Sequence, residues 1–187
     1  MRILVLLLAL LGARPAFAVD FAVDLDVFYF NDSFSNSGTT NSYSRVMWDF
    51  APLVGLNKNA TFLVGWNYDS MGFTDSPGGT ATTLTVTDMG PKFVYNFDKK
   101  HTWVFAFTYN LITKANYSSG ATTAELRGSS MKGELGYMPE LFEHVFIGAK
   151  LNYYKASFTE QVVSTTLTKV TDGRTVIYPT FSLTYRF

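Results

Sequence analysis

The sequence predicts an all-β protein, an eight-stranded antiparallel up-and-down transmembrane β-barrel, and three observations predict it. A leader with the build of a secretory signal opens the chain, apolar residues then recur with a period of two, and the segments between the alternating runs are long and short by turns.

In the leader, Arg2 supplies a positive start, Ile3 to Leu11 form an unbroken apolar run, and Ala16, Phe17 and Ala18 end it in the small-x-small form that a signal peptidase accepts. The run is about half the roughly 20 residues that a spanning helix needs, so cleavage after Ala18 is expected rather than anchoring. The expected division is residues 1–18 as cleaved signal peptide and residues 19–187 as the barrel. Cleavage removes Arg2 and Arg14 from the 15 basic residues and none of the 15 acidic ones, leaving a formal charge of −2. That balance gives no reason to expect a nucleic-acid partner. With no cysteine in the chain, neither a disulfide framework nor a thiolate metal site is available. No stretch after Leu11 approaches the length of an apolar helical span, so a membrane form of the protein must cross with strands.

The strands follow in order. The first sets Phe21, Val23, Leu25, Val27 and Tyr29 on one face against Ala22, Asp24, Asp26 and Phe28 on the other. The second sets Val46, Trp48 and Phe50 against Arg45, Met47, Asp49 and Ala51, and the third sets Phe62, Val64, Trp66 and Tyr68 against Leu63, Gly65, Asn67 and Asp69. For the fourth, over residues 83–96, the phase that places Thr85, Thr87, Met89, Pro91, Phe93 and Tyr95 together keeps Asp88 and Lys92 away from lipid. Charges at the bilayer midplane cost about 2–4 kcal/mol for lysine and less for acids. The fifth is the cleanest, with Trp103, Phe105, Phe107, Tyr109 and Leu111 on one face. In the sixth, Met131, Gly133, Leu135 and Tyr137 face out and Lys132 and Glu134 face in. The seventh turns Val145, Ile147, Ala149, Leu151 and Tyr153 outward and Lys150 inward. The eighth runs Ile177, Pro179, Phe181, Leu183, Tyr185 and Phe187 along its outer face.

Segments 31–43, 70–82, 113–124 and 157–173 are long and rich in Ser, Thr, Gly and Asn, and are read as loops, whereas those near 55–60, 97–101 and 138–144 are short. Four long connections and three short ones match the extracellular loops and periplasmic turns of an eight-stranded barrel with both termini in the periplasm. Alternation alone also fits a soluble barrel, whose apolar side chains point inward. Here the apolar face is heavily aromatic, and the opposite face carries Asp24, Asp26, Arg45, Asp49, Asp69, Asp88, Lys92, Lys132, Glu134 and Lys150. This set is expected to form a lumenal charge network. Tyr29, Trp48, Tyr68, Trp103, Tyr109, Tyr137, Tyr153 and Tyr185 suit interfacial girdles. Phe181, Leu183, Tyr185 and Phe187 resemble the C-terminal insertion signal that outer-membrane barrels present to their assembly machinery. The chain as a whole resembles, in architecture, the small barrels of the OmpA membrane-domain and OmpX type. The resemblance implies a bacterial, Gram-negative outer-membrane location, with outer-membrane lipid and the barrel assembly machinery as partners.

Small barrels that act on lipid A or peptides commonly keep a histidine near the extracellular rim. His101 and His144 both fall in short turns at the other end and are expected to be solvated turn residues. No metal-ligand spacing or phosphate loop is visible, and no cofactor is expected. The expectation is a non-enzymatic barrel with a structural or surface-interaction role. The alternative is a small pore, with Gly65, Gly90, Gly136 and Gly148 leaving lumenal space, or an oligomeric ring around a lipid- or water-filled centre. Glu125, Arg127, Ser129 and Gly133 on the sixth strand and Thr85 and Thr87 on the fourth form a polar, small-residue outer strip, which predicts a homo-oligomer contacting there.

Overall fold

The computed structural model describes residues 20–36, 39–57, 60–79 and 81–187; the leader lies outside them. Nine strands follow one another: β1 (Phe21–Asn36), β2 (Thr39–Gly55), β3 (Phe62–Ser76), β4 (Thr82–Asn96), β5 (Trp103–Ser119), β6 (Thr122–Tyr137), β7 (Glu140–Phe142), β8 (Val145–Val163) and β9 (Thr166–Arg186). Each long strand pairs antiparallel with its neighbour in sequence, β6 pairs with β8, and β9 pairs with β1, so eight strands close a ring. The short β7 only decorates the turn before β8.

Residues 31–36, 39–43, 70–76, 113–119, 157–163 and 166–173 are strand, although their composition reads as loop. Polarity on both faces marks where a strand leaves hydrocarbon, not where it ends. Threonine is a good strand former, and the ladder continues to tight turns with left-handed residues at Gly120 (φ 57°) and Ser164 (φ 57°). The long connections are therefore projecting β-hairpins, and that end of the ring is here the hairpin end. At the opposite, turn end, two connections share one design. Asn57 Oδ1 accepts from the N–H of Thr61 at 2.8 Å and Asp98 Oδ1 accepts from the N–H of Thr102 at 2.8 Å, with Ala60 and His101 at positive φ three residues on.

Besides a bulge at Phe158–Glu160 of β8, where the β6–β8 and β8–β9 registers slip, two irregularities shape the ring among the described residues. The β4–β5 and β5–β6 registers both slip around Asn110–Thr113, and this bulge turns both Leu111 and Ile112 outward. The second is the closing seam, where β1 and β9 pair only from Ala22–Arg186 to Val27–Phe181. The N–H of Phe187 donates to Phe21 O (2.8 Å), whereas the N–H of Arg186 donates to His144 O on the other side. Odd-numbered residues of β9 therefore aim their N–H at β1. The next odd position after Phe181 is Pro179, which has no N–H, and the ladder stops there.

Candidate functional site: a layered lumen and its outer mouth

Side chains facing into the ring stack in layers. At the turn end, Leu53, Leu63, Val94, Val104, Met138 and Phe146 form an apolar layer. Arg186 lies over the Phe146 ring at 4.8 Å and donates to Asn96 Oδ1 at 3.2 Å. A cavity of about 20 Å³ remains there, room for about one water molecule. Towards the hairpins, Met47, Met71, Phe73, Tyr154, Phe158 and Tyr178 form a second apolar layer.

The charges lie between. Asp24 and Asp26 on β1, Asp49 on β2 and Asp69 on β3 supply four of the acids; the lysines are Lys92 on β4, Lys132 on β6 and Lys150 on β8, strands that also carry Asp88 and Glu134. The register sets Asp26 beside Asp49, Asp49 beside Asp69, and Asp69 beside Asp88, an unbroken row of four acids across four strands. Like charges directly opposite are destabilising, so the row requires counter-charge from across the lumen. Lys132 supplies it to Asp49 and to Asp69 (2.8 Å). Lys150 reaches Asp24 (2.5 Å) and Asp26 (3.0 Å), and Lys92 reaches Asp24 (2.8 Å). Glu134 stands among the three ammoniums, 3.1 Å from Lys92, 3.1 Å from Lys132 and 3.6 Å from Lys150. All nine side chains are fully or almost fully buried.

Two members of the expected set stand apart. Asp88 has no lysine within 4 Å among the described residues and accepts instead from the Tyr154 hydroxyl (2.8 Å). Arg45 sits at the hairpin end, paired with Asp75 (2.6 Å) and donating to Thr74 O (3.1 Å). Asn67, which donates to Asp69 (2.7 Å), and Thr184, which donates to Asp24 (2.7 Å), complete the layer. Both lie on the inward phase of the same alternation, but an uncharged inward residue carries no signal of its own. Asp24, Asp26 and Glu134 also lie close enough to share a cation, yet Lys92 and Lys150 already occupy the space between them.

The expected lumenal space beside the glycines is absent. A Cβ at Gly65 would stand 1.9 Å from Pro52 O, at Gly90 2.1 Å from Tyr109 O, and at Gly148 1.9 Å from Tyr137 O. At Gly136 it would meet the Lys150 side chain at 2.7 Å. At Gly65, Gly90 and Gly148 adjacent backbone crowds the position, and at Gly136 the side chains of Lys150 and Val104 fill it, so none of the four widens a channel.

His144 is exposed, whereas His101 is half buried with its ring edge-on to Phe146. Burial holds the His101 imidazole below its usual pKa, and the Arg186 guanidinium lowers it further.

Outside, an apolar and aromatic belt encircles the ring. Phe62–Tyr95 (4.8 Å between ring centroids), Trp103–Tyr137 (5.0 Å) and Tyr185–Phe187 (4.7 Å) pair near the turn end, and Trp48–Tyr68 (5.3 Å) pairs closer to the hairpins. A belt of this kind outside a closed ring with a polar mid-lumen inverts the soluble arrangement. The chain is a transmembrane β-barrel. On the barrel's outer face Glu125 and Arg127 pair with each other (2.5 Å). A tilted crossing takes about ten residues, so counted back from Tyr137 this pair falls at or beyond the belt's hairpin edge. Gly133 is a dent in the belt, with open space where a side chain would be.

Among solved structures the barrel is similar to Neisserial surface protein A, at a TM-score of 0.53 and 14% identity over 92% of this chain and 98% of that one. A match to the translocator domain of the autotransporter NalP from Neisseria meningitidis has a TM-score of 0.38 and 7% identity over 91% of this chain and 62% of that one. No protein-family model and no curated protein matches the sequence.

Proposed function

We propose that this chain is an integral protein of the bacterial outer membrane with a structural or surface-interaction role and no enzymatic activity. The observation that carries the reading is the filled lumen, a charge layer between two apolar layers with a residual cavity about one water in size. Such an interior supports neither a conducting path nor a lumenal substrate site. The hairpins would face outside and the termini the periplasm, where Phe181, Leu183, Tyr185 and Phe187 would meet the assembly machinery. Recognition would then belong to the hairpins and the barrel's outer mouth. Single-channel recording in a planar bilayer tests this: the expected trace has no stable openings, and a steady conductance would overturn the closed-barrel reading in favour of a pore.

A further inference from the structure

Above the second apolar layer the barrel opens into a cup of about 350 Å³ among the hairpins. Its walls include Leu84, Leu126 and Phe158, and Phe73 and Arg174 also line it. Two arginines approach the Phe73 ring, Arg45 at 5.4 Å and Arg174 at 3.8 Å. They differ in one respect. Arg45 is neutralised by Asp75 and satisfied by backbone carbonyls. The Arg174 guanidinium stands over the ring at 3.8 Å, and among the described residues it has no carboxylate within 4 Å and its buried Nε has no hydrogen-bond partner. A guanidinium stacked on an aromatic face keeps its in-plane donors free for a two-oxygen anion.

We propose that this cup is a binding site for a single-chain anionic amphiphile of the fatty-acid class, its headgroup on Arg174 and its chain against Leu84, Leu126 and Phe158. Three observations fix the class. The free guanidinium selects an anion, the apolar walls select a hydrocarbon, and 350 Å³ is at the small end of ligand pockets, which suits one chain rather than several. Asp75 and Asp172 also line the cup, and Asp75 is already paired with Arg45. Arg174 also lies on the stretch of β9 before Pro179 that is unpaired with β1. The outward-facing mouth proposed above bears only on the ligand's source, because binding is measured without reference to cellular orientation.

The test uses a diazirine-bearing dodecanoic acid with the folded full barrel in lipid nanodiscs, and mass spectrometry maps the labelled peptides. Labelling is expected on the strands carrying Leu126 and Phe158, competed by dodecanoate and at least tenfold less well by dodecanol or acetate. Arg174→Gln is expected to lower it at least tenfold, with folding checked by heat-modifiable electrophoretic mobility. Leu126→Trp, which fills the cup and leaves the guanidinium in place, is expected to abolish it. Labelling confined to the outer belt, equal competition by dodecanol, or cup labelling that survives either substitution in folded protein overturns the site.

Discussion

From Ala22 to Val27 the first strand is bonded on both edges, whereas from Phe28 to Asn36 it is bonded to β2 alone. The interior changes at about the same level. In the closed half, charges are buried and pair across the lumen; in the open half, aromatic rings and a stacked arginine line a mouth that admits solvent. Water explains the difference. Where the sheet closes and apolar layers exclude solvent, a carboxylate survives only with counter-charge or, as at Asp88, a hydrogen-bond donor in reach, and an eight-stranded lumen is narrow enough to bring opposite walls together. Where water enters, an unpaired guanidinium is tolerable.

The largest expected effect breaks the closed half. Lys132→Met strands Asp69, leaves Asp49 only the Lys92 ammonium at 3.8 Å and takes one ammonium from Glu134, and should cost about 3–5 kcal/mol in urea unfolding or prevent folding altogether. At the mouth, Asp75→Asn removes one partner of a part-exposed pair and should cost about 1 kcal/mol or less. Equal effects would erase the distinction between the two halves.

Next in size is the seam. Phe187→Asp places a charge in the outer alternation beside Tyr185, where the last rung meets Phe21. Outer-membrane yield should fall severalfold while folding in detergent changes less; normal yield would show that the terminal alternation is not read. Pro179→Val restores the missing donor opposite Tyr29 and should extend the ladder, slowing hydrogen exchange at the Tyr29 amide and adding about 0.5–1 kcal/mol, the net value of one such bond. Unchanged exchange would mean that strand divergence, not the missing N–H, ends the seam.

The smallest effect concerns His101. Its folded-state pKa is depressed, so the neutral form favours the fold: stability is fully present above the unfolded value of about 6.5 and declines as pH falls below it towards the folded value. His101→Gln should remove this part of the acid dependence between pH 7 and 5. Identical profiles for the two proteins would show that the ring is as free as a solvated one.

What the sequence determined by itself is whatever alternation governs. With a period of two, each strand's inner and outer faces follow from one choice of phase, and the cost of a charge in lipid makes that choice. The eight strands and the inward sides of Asp24 through Lys150 were therefore legible. Tertiary structure alone decided the rest. Hairpin lengths depend on cross-strand pairing rather than on composition. The four-acid row depends on register between strands, Asp26 against Asp49 against Asp69 against Asp88, which no single strand encodes. Crowding at Gly65 and Gly148 comes from a neighbour's backbone, and Arg174 rests on Phe73, about a hundred residues earlier in the chain, because closing the ring brings β9 and β3 to the same mouth.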